Sequence, residues 1–296
     1  MFHCNRLLHF TNKATIGTND FQRITMKKAS HISLSLSVFV TATFVTADAY
    51  ATHSWANYHW GRTTNPLPLE LGDNVAANWD ANLTLAASDW NISDMLDTAV
   101  VAGKSNPRTC KPTSGRAEIC NAKYGNTGWL GIAQIWISGD HITQGVVKLN
   151  DTYFNTTKYN TNAWRNLVTC QEIGHIFGLG HQDENFSNPP LGTCMDYTDP
   201  DPTPNQHPNQ HDYDMLAEIY THLDSVNSYI LSDGTDGGGK GGGKGGKGKP
   251  LDIDWNNPSE WGRRVSEHIY ERDLGNGNKV MTDVFWVEGR GNSHNR

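Results

Sequence analysis

Basic residues are scarce in this chain outside one short stretch. Its 296 residues include 24 lysines and arginines against 31 aspartates and glutamates, which gives a net charge of −7. The lysines that do cluster lie among glycines at residues 234–250. Proteins that bind nucleic acid through its phosphates need a basic face. The composition therefore predicts that nucleic acid is not a partner.

Long apolar runs are also lacking. No stretch reaches the ~20 residues that a membrane-spanning helix requires. The apolar residues 32–45 are diluted by serine and threonine, and they follow Lys27 and Lys28. Small residues after this stretch offer cleavage sites, of which the one after Ala51 is favoured. The pattern predicts a signal peptide, and a secreted product without a membrane anchor once the leader is removed.

Composition divides the chain into four segments. A leader at residues 1–51, in which Met26 is a candidate for the true start, precedes a main domain at 52–233. Residues 234–250 hold ten glycines and four lysines, a composition that predicts a flexible linker. The extension at 251–296 is too short to form a stable core readily on its own. It is expected either to pack on the main domain or to recognise a partner.

Cysteine is sparse, with five residues in the chain. Cys4 falls in the leader, and the remaining four allow three pairings, among which sequence alone does not choose. Cys110 and Cys120 flank a short loop containing proline and glycine, which favours a local bridge and leaves Cys170 to pair with Cys194. Disulfides fit an exported protein. A structural zinc site is the alternative, although the spacings do not resemble paired zinc knuckles.

Hydrophobic spacing predicts both helices and strands. Apolar residues at 75–90 recur every three or four positions, which is typical of a helix with one buried stripe. Residues 98–102 form a short β-prone run. Two longer runs, 131–137 and 141–149, read as strands paired through a tight glycine turn. Asp212 is predicted to cap a last helix.

The residues that carry chemistry are concentrated at 170–184, in the run CQEIGHIFGLGHQDE. Asn160 or Thr161 could cap a helix through this run. On that helix, Gln171 and His175 lie one turn apart on the same face and can point at one metal ion. Glu172 lies beside them, where it could take a proton from a metal-bound water.

A change of direction after this helix would add a further ligand. Gly178 can adopt a positive φ, which would end the helix and turn the chain so that His181 also faces the metal. Glu172, His175, Gly178 and His181 fit the pattern HExxHxxGxxH at every fixed position except the first, where Gln171 replaces histidine. In this run the chain resembles the metzincin metallopeptidases, and among them the matrixin-like secreted peptidases.

A second motif carries the same resemblance. Fourteen residues after His181 lies Met195, followed two residues later by Tyr197, in a segment similar to the Met-turn of that family. The resemblance, which covers about residues 69–225, implies that Met195 forms an apolar floor beneath the metal. It also implies that Tyr197 approaches the metal or steadies the oxyanion of the reaction.

The resemblance implies a fold and an activity. The fold would be an α+β zincin, with a twisted, mostly parallel sheet, an antiparallel edge strand, a backing helix, a metal-binding helix and a C-terminal helix. The activity would be zinc-dependent hydrolysis of protein or peptide substrates by a monomer, with Glu172 as general base. A peptide would pair as an extra antiparallel strand along the edge strand. The candidate residues for that pairing are Trp129, Leu130, Gly131, Ile132 and Ala133.

Gln171 leaves three interpretations open, because an amide oxygen is neutral and a weaker zinc ligand than histidine. Zinc could bind Gln171, His175 and His181. Another group, such as His207, His211 or Tyr197, could complete the site. The site could instead have decayed, leaving a secreted module that binds peptides or surfaces without cleaving them.

Some polar residues have a plainer interpretation. Asp199, Asp201, His207 and His211 could bind calcium or a second zinc, but a solvated loop at 199–210 explains them equally well and is preferred. The histidines near the start of the main domain, His53 and His59, are expected at the surface. In the extension, a helix near 261–272 and a strand near 280–287 are predicted, with a glycine turn between them.

Overall fold

A mixed sheet of nine strands organises the described part of the chain. The computed structural model describes residues 53–200, 204–232 and 253–288. The predicted leader, with Met26 and Cys4, lies outside these residues, as do Asp201 and the whole of the predicted linker. None of the helices within these ranges has both the length and the apolar character needed to cross a bilayer.

The strands and helices have the following bounds. The strands are β1 (His59–Trp60), β2 (Glu70–Asn74), β3 (Ala99–Ala102), β4 (Ala117–Ala122), β5 (Trp129–Ser138), β6 (His141–Asn150), β7 (Arg263–Arg264), β8 (Ile269–Gly275) and β9 (Asn278–Trp286). The helices are α1 (Asp80–Trp90), α2 (Asp151–Phe154), α3 (Asn162–Ile176) and α4 (Gln210–Ile219), with a short 3-10 helix at Pro258–Glu260.

The sheet has a parallel half and an antiparallel half. Its strand order is β3-β2-β4-β6-β5-β9-β8-β7, and β1 pairs with β6 off this path. The pairs β2–β3, β2–β4 and β4–β6 are parallel, whereas every pair from β6–β5 onward is antiparallel. The predicted α+β class is confirmed. The prediction that β5 is an edge strand is wrong, because β9 pairs along its other side.

The helix α3 begins and ends as its sequence predicts. The side chain of Thr161 accepts a hydrogen bond from the Trp164 amide, which is N-terminal capping. The helix ends before Gly178, whose φ of +97° is strained for any residue with a Cβ. The last helix, α4, starts earlier than predicted. Asn209 is its N-cap, and Asp212 lies three residues on as the second member of a capping box.

The core lies where α1 and α3 pack together near the sheet. Both helices contribute to one large cluster of buried side chains that also includes residues of β2, β5 and β6. Two disulfides, Cys110–Cys120 and Cys170–Cys194, are formed with the predicted pairing. The second bridge joins α3 to the segment that contains Met195, so α3 is covalently tied to the predicted Met-turn.

The extension packs on the main domain as a hairpin. We call residues 263–286, which contain β7, β8 and β9, the C-terminal hairpin. The predicted strand is confirmed, but the predicted helix near 261–272 is wrong, since those residues contain β7 and most of β8. Gly275, Asn276 and Gly277 all have positive φ, which forms the tight turn between β8 and β9. Residues 269–275 form a strand because they pair with β9. The sequence pattern within these residues suggested a helix because it carries no information about that distant partner.

Candidate metal centre

Helix α3 and the turn after it bring two imidazoles together. His175 lies in the last turn of α3, and the Gly178 turn returns the chain so that His181 faces it. Their Nε2 atoms are 3.1 Å apart. Both side chains are almost completely shielded from solvent, with exposed fractions of 0% and 1%. This pair is the centre of the candidate site.

Hydrogen bonds at the far side of each ring fix which nitrogen carries the proton. Nδ1 of His175 lies 2.8 Å from the carbonyl oxygen of Leu179, and Nδ1 of His181 lies 3.3 Å from a carboxylate oxygen of Glu184. These oxygens accept, so each Nδ1 donates and each neutral Nε2 presents a lone pair. Burial first, and then neighbouring histidines, lower the pKa of both rings well below the usual range. Two lone pairs therefore face each other.

A carboxylate from β9 lies beside the two lone pairs. Oδ1 of Asp283 is 3.7 Å from Nε2 of His175 and 3.7 Å from Nε2 of His181. Sequence reasoning missed this residue, because it lies outside the signature in the C-terminal hairpin. The signal available was modest: one carboxylate in the otherwise largely apolar strand NKVMTDVFW.

The donor set fits a divalent metal ion. Within the described residues, both carboxylate oxygens of Glu172, both of Asp283 and Oε1 of Gln171 are buried without a hydrogen-bond partner. Uncompensated buried oxygens are costly, and a bound cation would satisfy them. Zinc–nitrogen bonds of about 2.0–2.1 Å in a tetrahedral site place two ligand nitrogens about 3.3–3.4 Å apart. The spacing of the two imidazoles agrees with that geometry.

A bound metal ion would change the pKa values of the carboxyls of Glu172 and Asp283. Burial, and then the charge of Asp283, raise the pKa of Glu172 well above its usual range. Burial, and then Glu184, raise the pKa of Asp283 well above its usual range. A bound cation favours the ionised form of a nearby carboxyl and opposes this shift.

The side-chain amide of Gln171 is hydrogen-bonded to the backbone through its nitrogen. Its Nε2 donates a hydrogen bond of 2.8 Å to the carbonyl oxygen of Cys194, which leaves Oε1 as the atom for any ligand role. The disulfide Cys170–Cys194 holds the same two segments together. The amide is thus orientated by the Met-turn segment, and its role as a metal ligand stays a prediction.

Apolar groups enclose the site. Met195 is fully buried. A Cβ at Gly174 would lie 2.6 Å from Sδ of Met195 and 2.6 Å from an indole carbon of Trp90, so glycine is needed for this close approach. The ring of Trp55 stacks on His175, with centroids 5.2 Å apart. This shielding keeps the surroundings of the imidazoles dry, which strengthens electrostatic interactions there.

Tyr197 contacts the C-terminal hairpin. Its hydroxyl donates a hydrogen bond of 2.9 Å to the carbonyl oxygen of Val284 and accepts one of 3.2 Å from the amide of Trp286. Its ring centroid is 4.9 Å from that of His181. In this arrangement the hydroxyl is engaged by β9, and its role towards an oxyanion stays a prediction.

The residues predicted to bind a peptide are all on β5. Four of their positions pair directly with β9: Trp129 with Trp286, Gly131 with Phe285, Ile132 with Val284, and Ala133 with Asp283. A Cβ at Gly131 would collide with Oε1 of Glu172 and lie 2.6 Å from Val168. Glycine at this position therefore lets the strand run close beside Glu172.

The other predicted ligands lie elsewhere. His207 is half exposed, and its Nδ1 is 2.7 Å from a carboxylate oxygen of Asp89. His211 stacks on His53, with centroids 4.8 Å apart. The expectation that His53 and His59 lie at the surface is wrong, since their exposed fractions are 6% and 5%. Burial lowers the pKa of His53 to about 4.

A second residue that sequence reasoning missed also comes from the hairpin. The ring of His268 lies 4.3 Å from that of Tyr197 and 5.4 Å from that of His181, centroid to centroid. Its Nδ1 is 3.2 Å from the carbonyl oxygen of Val284.

No protein-family model matches this chain, and no curated protein matches it significantly.

Proposed function

We propose that this protein is a secreted zinc-dependent endopeptidase of the metzincin type. The observation that supports it most is the pair of neutral imidazoles whose Nε2 atoms lie 3.1 Å apart next to the buried, unbonded carboxyl of Glu172. The site follows a signature that resembles the metzincins, on a capped helix that ends at a positive-φ glycine. Two disulfides are consistent with an extracellular location.

The chemistry follows from the positions of these groups. His175 and His181 would hold the ion, which when bound would polarise the scissile carbonyl and lower the pKa of a water towards ~7. Glu172 would accept one proton from the attacking water as its oxygen bonds to the carbonyl carbon. The same carboxyl would then deliver that proton to the leaving nitrogen as the carbon–nitrogen bond breaks. A bound cation would favour the ionised form of Glu172, which is the form that can accept this proton.

The proposal is tested by separating metal binding from hydrolysis. Wild-type protein should contain one zinc by elemental analysis, and His175→Ala should lose it. Glu172→Gln should keep the zinc and lose hydrolysis of unfolded casein, whereas Glu218→Gln, at an exposed position of α4, should keep both. Absence of bound metal in the wild-type protein, or unchanged hydrolysis by Glu172→Gln, would overturn the proposal.

A second candidate is a secreted module that uses the same fold and metal without cleaving peptides. The pairing of β9 along the whole of β5 favours it, because the strand predicted to receive a peptide already has a partner. One stoichiometric zinc with no casein hydrolysis by any variant, including those that weaken the C-terminal hairpin, would select the module over the enzyme.

A further inference from the structure

The C-terminal hairpin lies where the sequence predicts a peptide substrate. Strand β9 runs antiparallel to β5 from the pair Trp129–Trp286 to the pair Ser138–Asn278. This is the direction and the strand that the family resemblance implies for a bound peptide. The described chain therefore supplies its own occupant for the peptide-binding strand.

The two faces of β9 have different environments. Met281 and Phe285, on the same face as Asp283, belong to the main core cluster, which also contains residues of α3. On the opposite face, Val284 packs with Trp261, and Thr282 accepts a hydrogen bond of 3.1 Å from Gln134. The alternation of a strand thus directs Asp283 towards the two imidazoles. A shift of the register by one residue would remove it from the site.

Several contacts hold the hairpin and the segment before it in place. The hydroxyl of Tyr197 bonds to the backbone at Val284 and Trp286. Nζ of Lys148 donates to the carbonyl oxygen of Trp255, and the fully buried indole of Trp261 donates to that same oxygen. These contacts lie on both sides of β9, so its position does not depend on a metal alone.

We propose that Asp283 is a ligand of the metal, and that the C-terminal hairpin is the internal occupant of the peptide-binding strand. This inference rests on the proposed function, since it concerns the same metal. Two imidazoles and one carboxylate form a familiar zinc ligand set, and a carboxylate is a stronger zinc ligand than the neutral amide of Gln171. Asp283 thereby supplies the charged ligand that the helix signature lacks.

The arrangement couples metal binding to closure of the site. A metal that binds Asp283 stabilises β9 against β5, and by thermodynamic reciprocity the paired hairpin strengthens metal binding. While β9 is paired, the β5 backbone cannot pair with a substrate, and Tyr197 remains bonded to the hairpin. The metal-loaded full chain is therefore a closed form of the enzyme.

The ligand role is tested in the full chain by Asp283→Asn, which keeps the shape and removes the charge. Its zinc dissociation constant, measured by competition with a chromophoric chelator, should rise by ~100-fold or more, since even groups that only support ligands change affinity by ~10–100-fold. X-ray absorption of the zinc-loaded variant should show a changed ligand shell. Asp273→Asn, an exposed aspartate in β8 of the same hairpin, should leave both measurements unchanged.

The occupant role is tested by hydrogen exchange. Zinc should slow exchange of the β9 amides in the wild-type protein, and this effect should largely disappear in Asp283→Asn. At zinc concentrations that saturate both proteins, the variant should also hydrolyse casein faster than wild type. Equal rates of exchange with and without zinc in the wild-type protein would overturn the proposed coupling of metal binding to closure by the hairpin.

The outcomes separate this inference from the proposed function. If Asp283→Asn binds zinc as tightly as wild type while His181→Ala does not bind it, the metal site stands and Asp283 is not a ligand. If wild type and His181→Ala bind zinc equally, the proposed function itself fails. Unaltered far-ultraviolet circular dichroism of Asp283→Asn would establish that a loss of zinc does not reflect unfolding.

Discussion

Among the clusters of histidine and aspartate in the described residues, two have nearly the same composition and opposite surroundings. The metal cluster consists of His175, His181 and Asp283. The second, which we call the Asp224 cluster, places three imidazoles around one carboxylate oxygen. The three Nε2 atoms lie 3.1–3.5 Å from Oδ1 of Asp224, and they belong to His59, His141 and His222.

The two clusters differ in the hydrogen bonds that their carboxylates accept. Oδ2 of Asp224 accepts a hydrogen bond of 2.9 Å from the Arg62 amide, and His222 is 55% exposed to solvent. Burial alone would raise the pKa of Asp224, but hydrogen bonds from Arg62, His141 and His59 outweigh it and lower the pKa. The carboxyl of Asp283 makes no hydrogen bond of ordinary geometry among the described residues. Burial, and then Glu184, raise its pKa against the weaker opposing effect of the Val284 amide.

The comparison teaches that composition alone does not identify a metal site. Where water and a backbone donor reach the carboxylate, as at Asp224, hydrogen bonds satisfy its charge without a metal ion. Where the rings are buried with lone pairs facing one another, a proton is disfavoured by burial and a metal ion is the better partner. We expect zinc at the metal cluster and no zinc at the Asp224 cluster.

The largest expected effect separates the two clusters directly. His181→Ala should abolish stoichiometric zinc binding, whereas His222→Ala should leave one zinc per chain. Because zinc binds the folded state, wild-type protein at a free zinc concentration 1,000 times the dissociation constant should gain ~4 kcal/mol of unfolding free energy. His181→Ala should lose that gain. Elemental analysis and thermal unfolding with and without zinc measure both effects.

The same experiment can break the comparison. Loss of a zinc equivalent in His222→Ala would mean that the Asp224 cluster also binds metal, because His222 touches the carboxylate only from the solvent side. Accessibility would then not be what separates the two clusters.

The next-largest expected effect concerns the buried lysine Lys148 and tests whether burial lowers its pKa. Burial lowers the pKa of Lys148 to about 7, against the weaker opposing effect of Asp254. Between pH 7 and the unfolded pKa of ~10.4, the unfolded chain binds more protons than the folded chain, so stability rises with pH by on the order of 4 kcal/mol. Below the folded pKa, the destabilisation by Lys148 is fully present.

Replacing this lysine should reduce that pH dependence. Lys148→Met should be more stable than wild type at pH 7 and should gain less stability between pH 7 and pH 9.5, measured by urea unfolding. The loss of donors to Gln134 and to the Trp255 carbonyl limits the gain at pH 7, because an unpaired buried acceptor costs about 1–3 kcal/mol. An unchanged pH slope would show that burial does not govern this group.

The sequence was informative where structure is local. The cap at Thr161, the helix through His175 and the turn at Gly178 are all determined by near neighbours, and each was predicted. The local bridge predicted between Cys110 and Cys120 left Cys170 and Cys194 to pair with each other, as they do.

The parts that could not be predicted depend on distant contacts. Gln134 of β5 and Thr282 of β9 are bonded across 148 residues of sequence, and no local pattern reports such a pairing. The position of Asp283 beside the two imidazoles follows only from that register. The burial of His59 likewise depends on packing against distant residues, among them Tyr220. Local sequence thus predicted two of the three residues of the metal cluster and missed Asp283, which the hairpin places beside them.

A smaller effect is expected from crowding the side chains around the metal cluster. Gly131→Ala adds a Cβ that collides with Glu172 and crowds Val168, so it should destabilise the protein by about 1–3 kcal/mol and displace the carboxyl. Gly180→Ala is the matched control, since its nearest contacts of 3.4–3.5 Å are ordinary. Urea unfolding measures the difference between the two variants. Equal stability of both would mean that β5 can move away from α3 without cost.

The smallest effect concerns the Asp224 cluster in acid. Because the folded pKa of Asp224 is lowered, its contribution is fully present above the unfolded value of ~3.9 and is lost as the pH falls through the folded pKa. Asp224→Asn should therefore be less stable than wild type at pH 6, by no more than about 1.5 kcal/mol. The exposed substitution Asp94→Asn should have little effect.

The difference between wild type and Asp224→Asn should narrow by pH 3, as thermal unfolding at the two pH values would show. A difference that persisted at pH 3 would mean that Asp224 acts through packing or neutral hydrogen bonds rather than through its charge. The charge of Asp224 would then not be what stabilises the Asp224 cluster, and its contrast with the metal cluster would depend on the buried imidazoles alone.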